Sequence, residues 1–120
     1  MLIAVTSQGE DLDAEVDPRF GRANGFLLVD PEGMSFKSIG NSQNLDLPQG
    51  AGIQSAQNIA GHHPDVVLTG HCGPKAFKVL RAAGIDVVVG MKGTISEAVR
   101  LYLDGKAQPS EEANVEGHWV

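Results

Sequence analysis

Four apolar runs constrain this chain more than any other feature: Leu2-Ile3-Ala4-Val5, Phe26-Leu27-Leu28-Val29, Val66-Val67-Leu68 and Val87-Val88-Val89. None alternates with polar residues, which is the pattern of strands buried on both faces of a sheet. None approaches the roughly 20 residues that a helix needs to cross a bilayer. Between the later runs the periodicity changes. Ile53, Ala56, Ile59 and Ala60 recur at helical spacing and predict a helix over 51–61, and Ala76, Phe77, Leu80 and Ala83 predict another over 74–83. Thr94 stands three residues before Glu97, a capping box that opens a third helix running to Leu103, with Gly105 marking its end. Asp30-Pro31-Glu32-Gly33 reads as a turn, and Met34 to Ile39 as the return strand of a hairpin at the sheet edge. The element order is therefore β-β-β-α-β-α-β-α. Strands alternating with helices imply parallel neighbours, and the early hairpin adds antiparallel ones, so the expected fold is α/β with a mixed five-stranded sheet and helices packed on it. Residues 1–106 are expected to form that domain, and 107–120, with Pro109 and little apolar content before Trp119, an extended or disordered tail.

The 120 residues are 42% hydrophobic, enough for one core. Nine Lys and Arg against 15 Asp and Glu give a net charge of -6, which argues against a duplex nucleic-acid binder. Met1 leads straight into the first apolar run with no basic segment or cleavage site, so a cytoplasmic protein with no membrane role is expected. No long apolar strip demands a dimer, and a monomer is expected. A single cysteine, Cys72, excludes an internal disulfide and a zinc site of several thiolates.

In open α/β sheets ligands bind beyond the carboxyl ends of the parallel strands. Three segments should meet there. The first is the long connection over residues 7–24, whose Arg19 and Arg22 could clamp an anion under the apolar cover of Phe20. The second is Gly50-Ala51-Gly52 at the entrance of the first helix, where backbone N–H groups and the helix dipole favour negative charge. The third is Gly70-His71-Cys72-Gly73-Pro74-Lys75. Here Pro74 suits the first helical position, and the helix field with Lys75 should lower the Cys72 thiol pKa. Cys72 and His71 are candidate metal ligands, although two adjacent ligands make an incomplete site. Packed and loop roles for Cys72 and His71 stay open, as do an Arg19–Asp17 pair, a core position for Phe20 and a ligand-free helix lead-in at Gly50-Ala51-Gly52. His62, His63 and His118 are weaker metal candidates. Asp11, Asp13, Glu15 and Asp17 lack the spacing of a calcium loop and read as a solvated acidic loop. No nucleophile elbow occurs, Cys72 has no separate base, and the first strand carries no carboxylate. The pattern favours binding over catalysis.

Taken together, the segments Met1-Leu2-Ile3-Ala4-Val5-Thr6-Ser7, Asp17-Pro18-Arg19-Phe20-Gly21-Arg22-Ala23, Gly50-Ala51-Gly52, Val67-Leu68-Thr69-Gly70, Gly73-Pro74-Lys75-Ala76-Phe77, Ala83-Gly84-Ile85 and Gly93-Thr94-Ile95-Ser96-Glu97-Ala98 resemble the dinitrogenase iron–molybdenum cofactor-binding family over residues 1 to about 106. The single-domain length is most like the orange-protein branch of that family. The resemblance implies a ribonuclease H-like fold and a carrier or assembly factor, not an enzyme. It implies noncovalent binding of a molybdenum–copper sulfide cluster, or of the iron–molybdenum cofactor or its precursors. It also implies protein partners in cluster delivery or in cell-division complexes, with a scaffold role as the alternative function. The cargo would meet Arg19, Phe20, Gly21, Arg22, Ala23, Gly50, Ala51, Gly52, Gly70, His71, Cys72, Gly73 and Lys75. The family pattern does not itself require His71-Cys72 in this loop, so direct ligation rests on those two residues alone.

Overall fold

The apolar runs become the centre of a sheet whose two faces are both covered. The structure, a computed structural model, describes residues 1–41 and 50–113. Its strands are β1 (Ile3–Ser7), β2 (Gly25–Asp30), β3 (Ser35–Gly40), β4 (Val66–Leu68) and β5 (Asp86–Val88), and its helices are α1 (Ala51–Ala60), α2 (Pro74–Ala82) and α3 (Ile95–Leu103). The spatial order is β3-β2-β1-β4-β5. β1 pairs antiparallel with β2, and β2 with β3, whereas β4 and β5 run parallel to β1. The mixed five-stranded α/β fold expected from the sequence is the one observed.

Because successive strand residues point to opposite faces, each run feeds two cores. Ala4, Phe26, Leu28, Val67 and Val87 pack with Ala56 and Ile59 of α1 and Phe77 and Leu80 of α2. Ile3, Val5, Leu27, Val29, Val66, Leu68 and Val88 pack with Ile95, Ala98 and Val99 of α3. A ten-residue helix is marginal in isolation, so α1 depends on burying Ala56 and Ile59. The edge strand β3 is largely exposed, as its expected position requires.

The α3 capping box is present on both sides. Thr94 Oγ1 accepts from Glu97 N at 3.1 Å, and Thr94 N donates to Glu97 Oε1 at 2.9 Å. Residues 107–113 have no helix or strand, yet three of them contact the fold while the rest are exposed. Ser110 N donates to Val87 O at 2.7 Å, Ala107 touches the α3-side core, and Ala113 touches the opposite core. His118 and Trp119 lie outside the described residues. No helix among the described residues is long and apolar enough to cross a membrane.

Candidate anion-binding site

The loop between β1 and β2 is fixed by its own backbone and by short polar side chains. Asp17 is 4% exposed, and its carboxylate accepts from Arg19 N at 3.1 Å and Asn24 N at 3.4 Å. Asp17 N donates to Thr6 O. Thr6 Oγ1 donates to Asp17 O at 2.7 Å and lies 2.9 Å from Thr69 Oγ1, which joins the ends of β1 and β4. Asp17 thus organises its loop in place of serving a cation cluster. Among the described residues, no group of three or more His, Cys, Asp or Glu side chains is arranged to hold a metal ion.

A second polar knot ties this loop to α1. Asn41 Nδ2 donates to Ala23 O at 2.9 Å, and the Ser55 hydroxyl lies 3.1 Å from Asn41 Oδ1 and 3.3 Å from Gly21 O. All of these groups are buried, where an unpaired polar atom costs about 1–3 kcal/mol, so the network holds the loop in one position. Sequence reasoning missed Thr6, Asn41, Ser55 and Thr69. Ser55 on the apolar face of a helix and the threonines that end two apolar runs were the available signals; Asn41 offered none.

The three expected segments do meet. Phe20 N donates to His71 O at 3.0 Å and His71 N to Pro18 O at 2.7 Å, a parallel bridge between the arginine loop and the β4–α2 loop. A Cβ on Gly70 would stand 2.7 Å from Pro18 O, and one on Gly21 would stand 2.8 Å from Gly52 N and Cα. Those glycines therefore admit the protein's own backbone. Gly50, at φ +81, is different: a Cβ there would meet nothing within 4 Å, and the residue is half-buried at the start of α1.

Side-chain placement corrects several expectations. Phe20 is 1% exposed and packs on Phe26 with ring centroids 5.5 Å apart, so it plugs the core beneath the loop and does not cover a ligand. Ala23, Ala51, Gly52, Gly70 and Gly73 are also buried. Cys72 is 0% exposed, and burial pushes its thiol up to about 12, the reverse of the expected lowering. Loss of hydration outweighs the helix field there, and the group stays a protonated thiol near neutral pH. Its neighbour His71 is exposed. Arg19 and Lys75 are exposed and Arg22 is half-buried. His62 and His63 are exposed at the far end of the ten-residue α1, about 15 Å along the helix from its entrance.

The electrostatics separate the two faces of the sheet. α1 and α2 begin at the site, and neither has a side-chain cap or an acidic residue in its first turn. α3 begins on the other face and is fully provided for: Ile95 N and Ser96 N donate to Ala14 O and Leu12 O, and Glu97 lies in its first turn. Among the described residues, two helix N-termini without a side-chain cap thus flank a loop carrying two arginines, with Lys75 in the first turn of α2. Such an arrangement attracts an anion.

Comparison with known proteins agrees with this architecture. Residues 1–105 match the family described as dinitrogenase iron-molybdenum cofactor. The apo form of the orange protein from Desulfovibrio gigas shares 44% identity and superposes with a TM-score of 0.92, over 95% of this chain and 96% of that one. A Thermotoga protein assigned to the DUF35 family shares 28% identity with a TM-score of 0.81, over 97% and 98% of the two chains. An uncharacterised Methanocaldococcus jannaschii protein is 32% identical over 99 residues, 80% of this chain and 83% of its own length. With its family match running through every strand and helix of the fold, this chain belongs to the dinitrogenase iron–molybdenum cofactor family.

Proposed function

We propose that this protein is a monomeric cytoplasmic carrier or assembly factor for a preassembled anionic metal–sulfide cluster containing molybdenum. The molybdenum–copper sulfide cluster is the favoured cargo, and the iron–molybdenum cofactor or a precursor is the second. Likeness to the orange protein supports the first and the family's description the second. The order β3-β2-β1-β4-β5 supports the ribonuclease H-like description of the scaffold.

The observation that carries the reading is the contrast between helix starts. α3 neutralises its own N-terminus, whereas among the described residues α1 and α2 show neither a side-chain cap nor an acid in the first turn, at the loops that carry Arg19, Arg22 and Lys75. A sulfide cluster brings its own sulfur ligands, so the protein need supply only charge, N–H groups and shape. The residues present fit that demand. They offer cations and backbone at a tightly held loop, and no accessible thiolate. His71 is exposed on the loop surface, while Cys72 supports the loop from below. The net charge of -6 does not cancel the local field, because charges farther than about 8 Å are screened at physiological salt.

The test is assembly of the cluster on apo-protein from tetrathiomolybdate and Cu(I), followed by gel filtration and an absorption spectrum of the protein fraction. The wild type should retain the charge-transfer bands. Arg19→Ala combined with Arg22→Ala should weaken retention by about tenfold or more, since charge-assisted contacts contribute about 1.5–3 kcal/mol each. Cys72→Ser should retain the cluster. Full retention by the double arginine variant would refute the clamp, and loss in Cys72→Ser would restore thiolate ligation.

A further inference from the structure

On the opposite face of the sheet from the anion site, a cavity of about 460 Å³ opens between α3, the acidic loop and the β2–β3 turn. Its apolar wall includes Leu12, Met34, Val99 and Leu103, and its charged lining is Arg100 and Asp104. The volume lies within the range of small-molecule sites.

Local choices at this cavity run against the usual preferences of the backbone. Met34 has φ +56, a left-handed position that favours Gly or Asn, yet the chain keeps a long apolar side chain there. Asp104 is the C-cap of α3, where the helix dipole disfavours negative charge. Arg100 precedes Asp104 by four residues, the weaker order for an intrahelical pair, and the two form no ion pair within 4.0 Å. Met34 and Asp104 are 70 residues apart in the chain and line one cavity. Such local conflicts gather where function, not stability, selects the residue.

We infer that this cavity binds a small zwitterion with an apolar body, of the class of free aliphatic or aromatic α-amino acids. Arg100 receives the carboxylate, Asp104 receives the ammonium group, and Leu12, Met34, Val99 and Leu103 hold the side chain. One helical turn separates the two charged residues, so both can face one small molecule in the cavity. A simple carboxylate would face repulsion from Asp104, and a simple amine repulsion from Arg100. The inference is independent of the cluster-carrier reading.

The experiment is an NMR titration of the full chain with L-leucine, L-methionine and L-phenylalanine, repeated with their N-acetyl derivatives. Saturable shifts at Met34, Val99 and Leu103 with at least one free amino acid, weakened on acetylation, support the site. Absence of saturable shifts with all three overturns it, as does equal binding of the acetylated forms. Arg100 and Asp104 are exposed, so Arg100→Gln and Asp104→Asn should fold. Each should weaken binding about tenfold, through loss of one charge-assisted contact. Asp104→Asn should also melt slightly higher, because it removes negative charge from the helix C-terminus. Unchanged affinity in both variants would overturn the assignment.

Discussion

The Cys72 thiol lies between an exposed histidine and the N-terminus of α2, a setting that lowers a thiol pKa when the group is hydrated, yet its folded-state value is about 12. Below about pH 9 the folded and unfolded chains both hold the thiol proton, and the group has no effect on the pH dependence of stability. Above that, the unfolded chain ionises and the folded one does not, so the unfolded state binds fewer protons and stability falls with rising pH. The loss reaches about 4 kcal/mol across the window from 9 to 12, at about 1.4 kcal/mol per unit. Cys72→Ala should therefore unfold along a shallower alkaline slope than wild type, even where its small cavity costs stability near neutral pH. Urea unfolding at about pH 7 and about pH 10.5 decides it. Parallel losses in the two proteins would mean that the thiol ionises in the fold, and the argument against thiolate ligation would go with it. Phe20 is buried in the same way and serves the loop from beneath.

At the scale of elements, the three helices differ in how their N-termini are treated, and that difference can be reversed by one substitution. Lys75 stands at the second position of α2 and is exposed. Lys75→Glu puts an acid where the helix dipole favours it and should stabilise the fold by about 0.3–1 kcal/mol. It should also remove a cation from the proposed anion site and reduce retention of the proposed cluster. A higher melting temperature joined to weaker retention marks a position where binding opposes stability; unchanged retention would place Lys75 outside the site. How far this could be read from sequence depends on range. The apolar runs, the hairpin turn with Gly33 at φ +86 and the Thr94–Glu97 capping box are local patterns, and the structure reproduces them. The meeting of the arginine loop with the α1 and α2 entrances follows from the rule for parallel strands. What makes the meeting tight was not legible, because Thr6–Thr69, Gly21–Ser55 and Asn41–Ser55 join residues 63, 34 and 14 positions apart. The depth of Cys72 is likewise a property of packing across several elements, and one residue's neighbours in sequence do not reveal it.

For the molecule as a whole, the two sheet edges are handled differently. β3 presents an exposed outer strand with Lys37 at its centre, a charge that discourages pairing with another chain. β5 lies at the other edge and is only three residues long, and residues 107–113 cross it from one core to the other. The hydrogen bond from Ser110 N to Val87 O occupies part of that edge, while Ala107 and Ala113 anchor the strap on either side. A segment with no helix or strand of its own thus closes the sheet where a partner strand would otherwise add. Truncation after Lys106 should expose Val87 O and both alanine contacts, lowering the melting temperature and promoting concentration-dependent self-association. Ser110→Pro keeps the strap but removes the N–H donor, and should produce the same effects more weakly. Sedimentation velocity over a range of concentrations, with thermal unfolding of all three proteins, separates the possibilities. A truncated chain that stays monomeric and melts with wild type would show that the strap merely lies across the edge. Association that rises from wild type through Ser110→Pro to the truncated chain would show that the single backbone contact and the flanking packing both guard it.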